Sequence, residues 1–138
     1  MPINVRRVIA AGLVSGLVIS LSALAMVPVV GDQMNEALRA RGVPPLSAGA
    51  MVYFVAQSFL TGVLVVGLYA AVQPRLPGGA KTAALVAAFV WLVGGCMANV
   101  SNVMYGFMPV SLTLVGTAWA LVELLVAAEV GAFLYRDT

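Results

Sequence analysis

The chain has 138 residues, of which 62% are hydrophobic and 9% are charged, and its formal net charge at pH 7 is +2. This composition is too apolar for a soluble globular domain and predicts an integral membrane protein. The chain contains no histidine and one cysteine, Cys96, which excludes an intramolecular disulfide and argues against the usual protein ligands of haem, zinc and iron–sulfur centres.

Four apolar runs make up most of the chain. They lie at about residues 7–30, 48–72, 81–104 and 109–135. Each run exceeds about 20 residues, so each can cross a hydrocarbon core of roughly 30 Å as a helix that rises about 1.5 Å per residue. The sequence therefore predicts an all-α fold: a transmembrane four-helix bundle that forms a single membrane domain over residues 1–138.

The first run follows Arg6 and Arg7 and contains Ala23–Ala25, a pattern that signal peptides share. The run is longer than a typical signal core, so we expect a retained first span. Its small residues recur at four-residue spacing, at Gly12, Gly16 and Ser20. Such a face permits the close helix approach that holds spans together in lipid.

The connection between spans one and two, GDQMNEALRARGVPP, is the most polar part of the chain. Asp32 is a typical helix cap, Gly42 a typical helix stop, and two prolines follow. We therefore predict a short interfacial helix on the outer surface. Glu36 and Arg39 are three residues apart in this helix and predict a surface ion pair.

The distribution of basic residues predicts the orientation of the spans. With four spans, one side of the membrane carries two basic residues, Arg39 and Arg41, and the other side carries five: Arg6, Arg7, Arg75, Lys81 and Arg136. Cytoplasmic loops carry an excess of Lys and Arg, so both termini are predicted to be cytoplasmic. All these charges lie at the ends of apolar runs, and we therefore expect no nucleic-acid partner.

Two groups of polar residues lie within spans two and three. Span two contains Gln57, Ser58 and Thr61, and span three places Asn99 and Asn102 on one face. Buried asparagines usually bridge helices, and the functional alternative is a polar lining for a ligand or ion path.

Span four contains two acidic residues in the stretch ALVELLVAAEVGAFLYR. Glu129 is under two turns from the predicted cytoplasmic end and nearly in line with Arg136, which is typical of an interfacial, ion-paired acid. Glu123 lies near the midplane, where a charge costs about 3 kcal/mol, and no span interior supplies a Lys or Arg to pair with it. It is therefore expected to be protonated, hydrogen-bonded, or matched by an external cation.

At a depth comparable with Glu123 lie Ser20, Thr61 and the adjacent pair Gly94 and Gly95. Gln57 and Ser58 lie about one turn nearer the outside. The predicted intramembrane polar site thus comprises Glu123, Thr61, Ser58, Gln57, Ser20, Asn99 and Asn102. The predicted helix-packing positions are Gly12, Gly16, Gly95, Gly116 and Gly131.

The segments RRVIAAGLVSGLV, LYAAVQPRLPGGAKTA and WALVELLVAAEVGAFLYR give the chain a resemblance to other proteins. Over nearly its whole length it resembles a group of short bacterial four-span membrane proteins that has no known activity. The resemblance implies a multi-pass protein of the bacterial inner membrane, and it implies no role for any single position.

Two functions remain open at this stage. The first is a non-catalytic accessory or structural subunit of a larger membrane complex, or a homo-oligomer, in which Glu123 and the asparagines hold helices together. Its partners would be the lipid bilayer and other transmembrane subunits or copies of itself. The alternative is a proton- or cation-coupled small transporter or channel that uses Glu123. We expect no enzymatic activity and no cofactor or metal, because the sequence contains no recognisable catalytic, phosphate-binding or metal-binding set.

Overall fold

The structure is a computed structural model that describes residues 2–137, and every regular element in this range is helical. The α-helices are α1 (Val5–Ala40), α2 (Ala48–Val72), α3 (Gly79–Trp91), α4 (Met97–Met104) and α5 (Val110–Asp137). A 3₁₀ turn, Gln73–Arg75, follows α2, and a π-helical turn, Leu92–Cys96, joins α3 to α4.

The helices α3 and α4 and the π turn between them form one span from Gly79 to Met104. The described chain thus contains four helices that are long and apolar enough to cross a membrane. The predicted all-α four-helix bundle is confirmed, and the coarse class of the protein, a multi-pass membrane protein, follows from it.

The spans alternate in direction, so the bundle has two distinct ends. Both termini and the α2–α3 connection lie at one end, which we call the terminal end; the α1–α2 and α4–α5 connections lie at the loop end. Helix α1 packs against α2 and α5, α3 packs against α5, and α2 also contacts α5 and α3.

The main hydrophobic core lies in the terminal half of the bundle. It is built around Val65, Val66 and Tyr69 of α2, which are almost completely buried against alanines of α3 and α5. The rings of Tyr69 and Tyr135 meet edge to face at a centroid distance of 6.3 Å. By contrast, the first two turns of α2 expose large apolar side chains, including Val52 at 70%. The terminal half is therefore tightly packed, whereas α2 separates from its neighbours towards the loop end.

A smaller apolar cluster joins α1 to α5 near the loop end. Val30, Ala37 and Leu112 are buried there, and three methionines pack around them: Met26, Met34 and Met108. Arg41, at the end of α1, also donates a hydrogen bond of 3.0 Å to the carbonyl oxygen of Gly106 in the α4–α5 connection.

The prediction of a separate helix between spans one and two is corrected by the course of α1. Residues 32–40 are helical, but they continue α1, which runs through Pro28 without ending. Asp32 lies inside this helix, and the N-cap is Asn4, whose side chain accepts a hydrogen bond from the backbone of Arg7. Packing of residues 30–37 onto α5 explains the continuity, while Gly42, with φ +70, follows the helix end as predicted.

Glycines bring α1 and α2 into backbone contact. A Cβ atom at Gly12 would overlap the backbone of Val63, and one at Gly16 would overlap that of Phe59. Gly62 of α2 faces Gly12 and Gly16 in return, so no larger side chain fits on either side of this contact. The backbones therefore approach each other as expected of small-residue faces in lipid.

The other glycines predicted to be packing positions differ in how close their neighbours lie. A Cβ atom at Gly131 of α5 would overlap the side chain of Val66, whereas one at Gly116 would make an ordinary contact of 3.6 Å with Met26. A Cβ atom at Gly95 would meet nothing within 4 Å. The packing role predicted for Gly95 is therefore wrong, because this residue lies in the π turn beside an open space.

Candidate intramembrane binding site

Glu123 lies at the midpoint of α5 and is partly buried. The same helix buries Ala127 and Gly131 against α1 and α2, so the acid continues the face by which α5 enters the bundle. Within residues 2–136, no lysine or arginine side chain forms an ion pair with it. This acid, halfway along a membrane-spanning helix, therefore lacks a cationic partner in the described part of its own chain.

Ser22 of α1 connects Glu123 to Trp119. The Trp119 indole Nε1 donates a hydrogen bond of 2.8 Å to the Ser22 hydroxyl oxygen, and the Ser22 side chain is also a hydrogen-bond partner of the Glu123 carboxyl group. A hydroxyl has one proton to donate and two lone pairs, so Ser22 can serve both neighbours. A carboxylate has about four acceptor positions. Glu123 therefore keeps acceptor capacity for a further donor.

Sequence reasoning selected Ser20 and missed Ser22. The Ser20 hydroxyl oxygen is buried without a hydrogen-bond partner in the described chain, and Ser20 lines neither of the spaces beside Glu123. Ser15 and Ser22 are seven residues apart and both contact α5, since the Ser15 hydroxyl donates to the carbonyl oxygen of Ala127 at 2.8 Å. That spacing, two helical turns, is the sequence signal that would have identified Ser22.

One side of Glu123 faces a cleft of about 460 Å³, which we call the polar cleft. It lies where α2 separates from the π turn, and its polar side chains are Gln57, Ser58, Thr61 and Glu123. The remaining lining is apolar or glycine: Ile19, Ala23, Phe54, Val90, Gly94, Gly95 and Leu124. The structure thus brings together four of the seven predicted polar residues.

In the described chain, the two hydroxyl groups of α2 that line the polar cleft, those of Ser58 and Thr61, donate to their own helix and not to a neighbouring one. The Ser58 hydroxyl donates to the carbonyl oxygen of Phe54 at 2.9 Å, and the Thr61 hydroxyl donates to that of Gln57 at 2.8 Å. Each hydroxyl has thereby used its proton on its own helix, and its oxygen remains an acceptor. These oxygens, the exposed amide of Gln57 and the Glu123 carboxyl group line a space suited to a cation or a proton donor.

The π turn forms the wall of the polar cleft opposite α2. It contains Gly94 and Gly95, neither of which has a side chain to occupy the space in front of Glu123. Single π turns inside α-helices occur often at functional sites. The glycines and the π turn together keep this side of the cleft open.

Glu123 also borders a second space, which we call the apolar groove. It runs between α1 and α5, has a volume of about 580 Å³, and has two polar lining residues, Ser22 and Glu123. Its other lining residues are Val18, Val115, Ala118, Trp119, Val122 and Val126. Val122 and Val126 are 60% and 48% exposed. In a bilayer the groove would therefore open sideways towards lipid.

The structure does not bring the two asparagines to Glu123. The Asn99 amide nitrogen donates a hydrogen bond of 2.9 Å to the Thr117 hydroxyl, which joins α4 to α5. Asn99 and Asn102 border a separate cavity of about 100 Å³ near the loop end. Asn99 thus has the bridging geometry that is usual for a buried amide, and neither asparagine lines the polar cleft.

The predicted ion pairs are not formed in the described chain. Arg136 donates through Nε to the carbonyl oxygen of Ala132, one turn earlier on α5, instead of reaching Glu129. Within residues 2–136, Glu36 and Arg39 likewise form no ion pair. Glu129 remains a partly buried acid close to the terminal end, distinct in position from Glu123.

Comparisons with protein-family models, with curated proteins and with solved structures found no match.

Proposed function

We propose that this protein is a proton- or cation-coupled small transporter or channel in which Glu123 is the exchanging group. One observation carries the proposal: an acid at the midpoint of a span, without a cationic partner in the described chain, borders a cleft lined by further acceptor groups. Ionisable residues at this depth are costly and usually mark ion or substrate pathways.

The arrangement of polar groups favours this function over a role as interhelical glue. Polar glue requires side chains that hydrogen-bond across helices. Asn99 does this, and Glu123 does it through Ser22. By contrast, Ser58 and Thr61 donate to their own helix, and Gln57 is exposed. These three side chains face an unfilled space beside Glu123, as the lining of a path would.

The chemistry needed for coupling is an exchange at one carboxyl group. Glu123 holds a proton when the site is empty and releases it when a cation takes its place. The exchange replaces one positive charge by another, so the net charge of the site does not change. The oxygens of Ser58, Thr61 and Gln57 replace part of the water that the cation loses. No bond other than that to the exchanged proton is made or broken, and the proposal includes no catalytic step.

Purified protein in vesicles tests this function directly. Vesicles that contain a pH-sensitive dye at acidic pH are diluted into alkaline buffer, and guanidinium chloride is then added outside. Exchange predicts guanidinium-dependent alkalinisation of the lumen with wild-type protein. Glu123→Gln, which retains hydrogen bonding but cannot exchange a proton, should reduce the rate to that of empty vesicles.

Glu129→Gln is the matched control, because it removes the other acid of the same helix, which does not line the polar cleft. Its rate should equal that of the wild type. If wild-type protein produces neither a proton flux nor a guanidinium-dependent change, or if Glu123→Gln retains the wild-type rate, the coupling function is wrong.

A second candidate function is an accessory or structural subunit, or a homo-oligomer. The observation that favours it is the exposure of Gln57, well within α2, beside a cleft that a helix of another subunit would fill. Native mass spectrometry after mild extraction separates the two candidates. A defined assembly that dissociates in Glu123→Gln supports the subunit role, whereas a monomer that exchanges cations supports the transporter. Under both candidate functions we propose that the protein lies in a bacterial inner membrane.

A further inference from the structure

We propose that the apolar groove binds a hydrophobic amine, which enters from the lipid as the uncharged free base and takes its proton from Glu123. The proposal rests on the exchange function of Glu123, and it adds a substrate class and a route. It is based on the apolar groove, the second space that Glu123 borders.

The lining of the groove defines the body of the ligand. Apart from Ser22 and Glu123, every lining side chain is apolar or aromatic: Val18, Val115, Ala118, Trp119, Val122 and Val126. The volume of about 580 Å³ lies within the range of small-molecule sites in proteins. An apolar body of one or two rings fits this space and gains free energy by contact with its walls.

The polar end of the ligand is defined by the single acid in the groove. Ser22 already accepts a hydrogen bond from Trp119 and is a partner of Glu123, so its bonding capacity is largely used. Glu123 retains free acceptor positions and has no cationic partner in the described chain. The complementary group is therefore a cation that donates a hydrogen bond, such as a protonated amine. The Trp119 ring, held by its bond to Ser22, can also attract this cation through its face.

The position of the groove defines the route. Glu123 lies at the midpoint of a span, and the groove opens between exposed valines, so a ligand reaches it through the hydrocarbon region. A permanent cation is strongly disfavoured there, whereas a free base is not. The neutral carboxylic acid transfers its proton to the amine nitrogen, which leaves a carboxylate beside an ammonium group. One O–H bond breaks, one N–H bond forms, and the total charge is unchanged.

A set of three brominated probes tests each part of this proposal. Bromine quenches tryptophan fluorescence at short range, and Trp91→Phe leaves Trp119 as the only tryptophan. The probes are N,N-dimethyl-4-bromobenzylamine, its permanently charged trimethylammonium analogue, and uncharged 4-bromotoluene. With protein in lipid nanodiscs, the tertiary amine should quench saturably and at least about tenfold more strongly than either analogue.

Substitutions then test the contribution of the acid and that of the groove separately. Glu123→Gln should weaken quenching by the amine at least about tenfold, whereas Glu129→Gln should leave it unchanged. Ala118→Phe, which places a ring in the groove, should abolish quenching by the amine and leave guanidinium exchange through the polar cleft intact. Titration of the protein with both tryptophans gives a second measurement that does not depend on Trp91→Phe.

Each contrary result has a definite meaning. Equal quenching by 4-bromotoluene, or no loss in Glu123→Gln, would show that the groove accepts any apolar molecule, and the proposal would be wrong. Equal quenching by the trimethylammonium probe would overturn the free-base route. Guanidinium exchange without amine binding would overturn this inference alone. Amine binding by a protein that shows neither a proton flux nor a guanidinium-dependent change would overturn the proposed function and leave the groove as a binding site only.

Discussion

The indole nitrogen of Trp119 donates a 2.8 Å hydrogen bond to the hydroxyl of Ser22, on a different span. Trp119 and Glu123 are one helical turn apart on α5, and the same hydroxyl is a partner of the Glu123 carboxyl group. Ser22 therefore fixes the acid and the aromatic wall of the apolar groove relative to each other.

Ser22→Ala should destabilise the protein by about 1 kcal/mol, because it leaves the Trp119 indole N–H without its acceptor. It should also alter the Trp119 emission spectrum and weaken amine binding, since the ring and the carboxyl group lose their common partner. Unfolding in mixed micelles, followed by circular dichroism, measures the first effect. Ser20→Ala is the control: the Ser20 hydroxyl oxygen is buried without a partner among residues 2–136, so its removal should be neutral or stabilising. Equal losses in the two variants would contradict the role of Ser22.

Gly16→Ala should be strongly destabilising, by about 2 kcal/mol or more, because the new methyl group would overlap the backbone of Phe59, which cannot rotate away. Gly95→Ala provides the matched comparison, because a methyl group there meets nothing within 4 Å. Since alanine favours helix over glycine, Gly95→Ala should keep or slightly raise stability. Unfolding in mixed micelles, followed by circular dichroism, measures the stability of both variants. Similar effects of the two substitutions would show that α1 and α2 do not meet closely at Gly16.

Asn99 and Thr117 should show a coupling free energy of about 0.6 kcal/mol in a double-mutant cycle of Asn99→Ala and Thr117→Val, the average for such bonds in membrane proteins. Neither residue lines the polar cleft, so guanidinium exchange should persist in both variants. Loss of exchange in a well-folded Asn99→Ala protein would instead place the asparagine on the ion path.

Labelling in intact bacterial cells should reveal the orientation of the bundle. In a Cys96→Ala background, Phe107→Cys places a thiol at the loop end and Pro77→Cys places one at the terminal end. The excess of basic residues at the terminal end predicts that a membrane-impermeant maleimide labels only the former. Exclusive labelling at position 77 would reverse the topology.

The four spans were predictable because membrane-spanning length and apolar composition are properties of the sequence itself. The grouping of Glu123 with Thr61, Ser58 and Gln57 followed from depth along antiparallel helices. The rotation of each helix about its axis did not follow, because packing sets it. For this reason depth alone predicts Ser20, although Ser22 makes the contact. The cap expected at Asp32 failed for the same reason, since contacts of Val30 and Ala37 with Leu112 of α5 extend α1 past it.

The π turn had no sequence signal beyond its two adjacent glycines. Gly94 and Gly95 are equally compatible with close helix packing, and no residue pattern in this stretch predicts the i→i+5 hydrogen bonds of a π turn. The sequence could therefore place these glycines at the depth of the acid, but it could not show that they border a space instead of a helix.

In the described chain, hydrogen bonds link the first and last spans at three heights: Ser15 to Ala127, Trp119 to Ser22, and Arg41, directly after α1, to Gly106 in the connection that precedes α5. The two helices are thus held along almost their whole length and form a stiff frame. Any change in the width of the polar cleft then requires movement of the loop-end half of α2, or of the π turn, against this frame. The glycine contact at Gly16 and Gly62 attaches α2 to this frame, so the part of α2 that can move is the segment before Ser58, which carries Gln57. Ser58, Thr61 and Glu123 belong to the part that keeps its position.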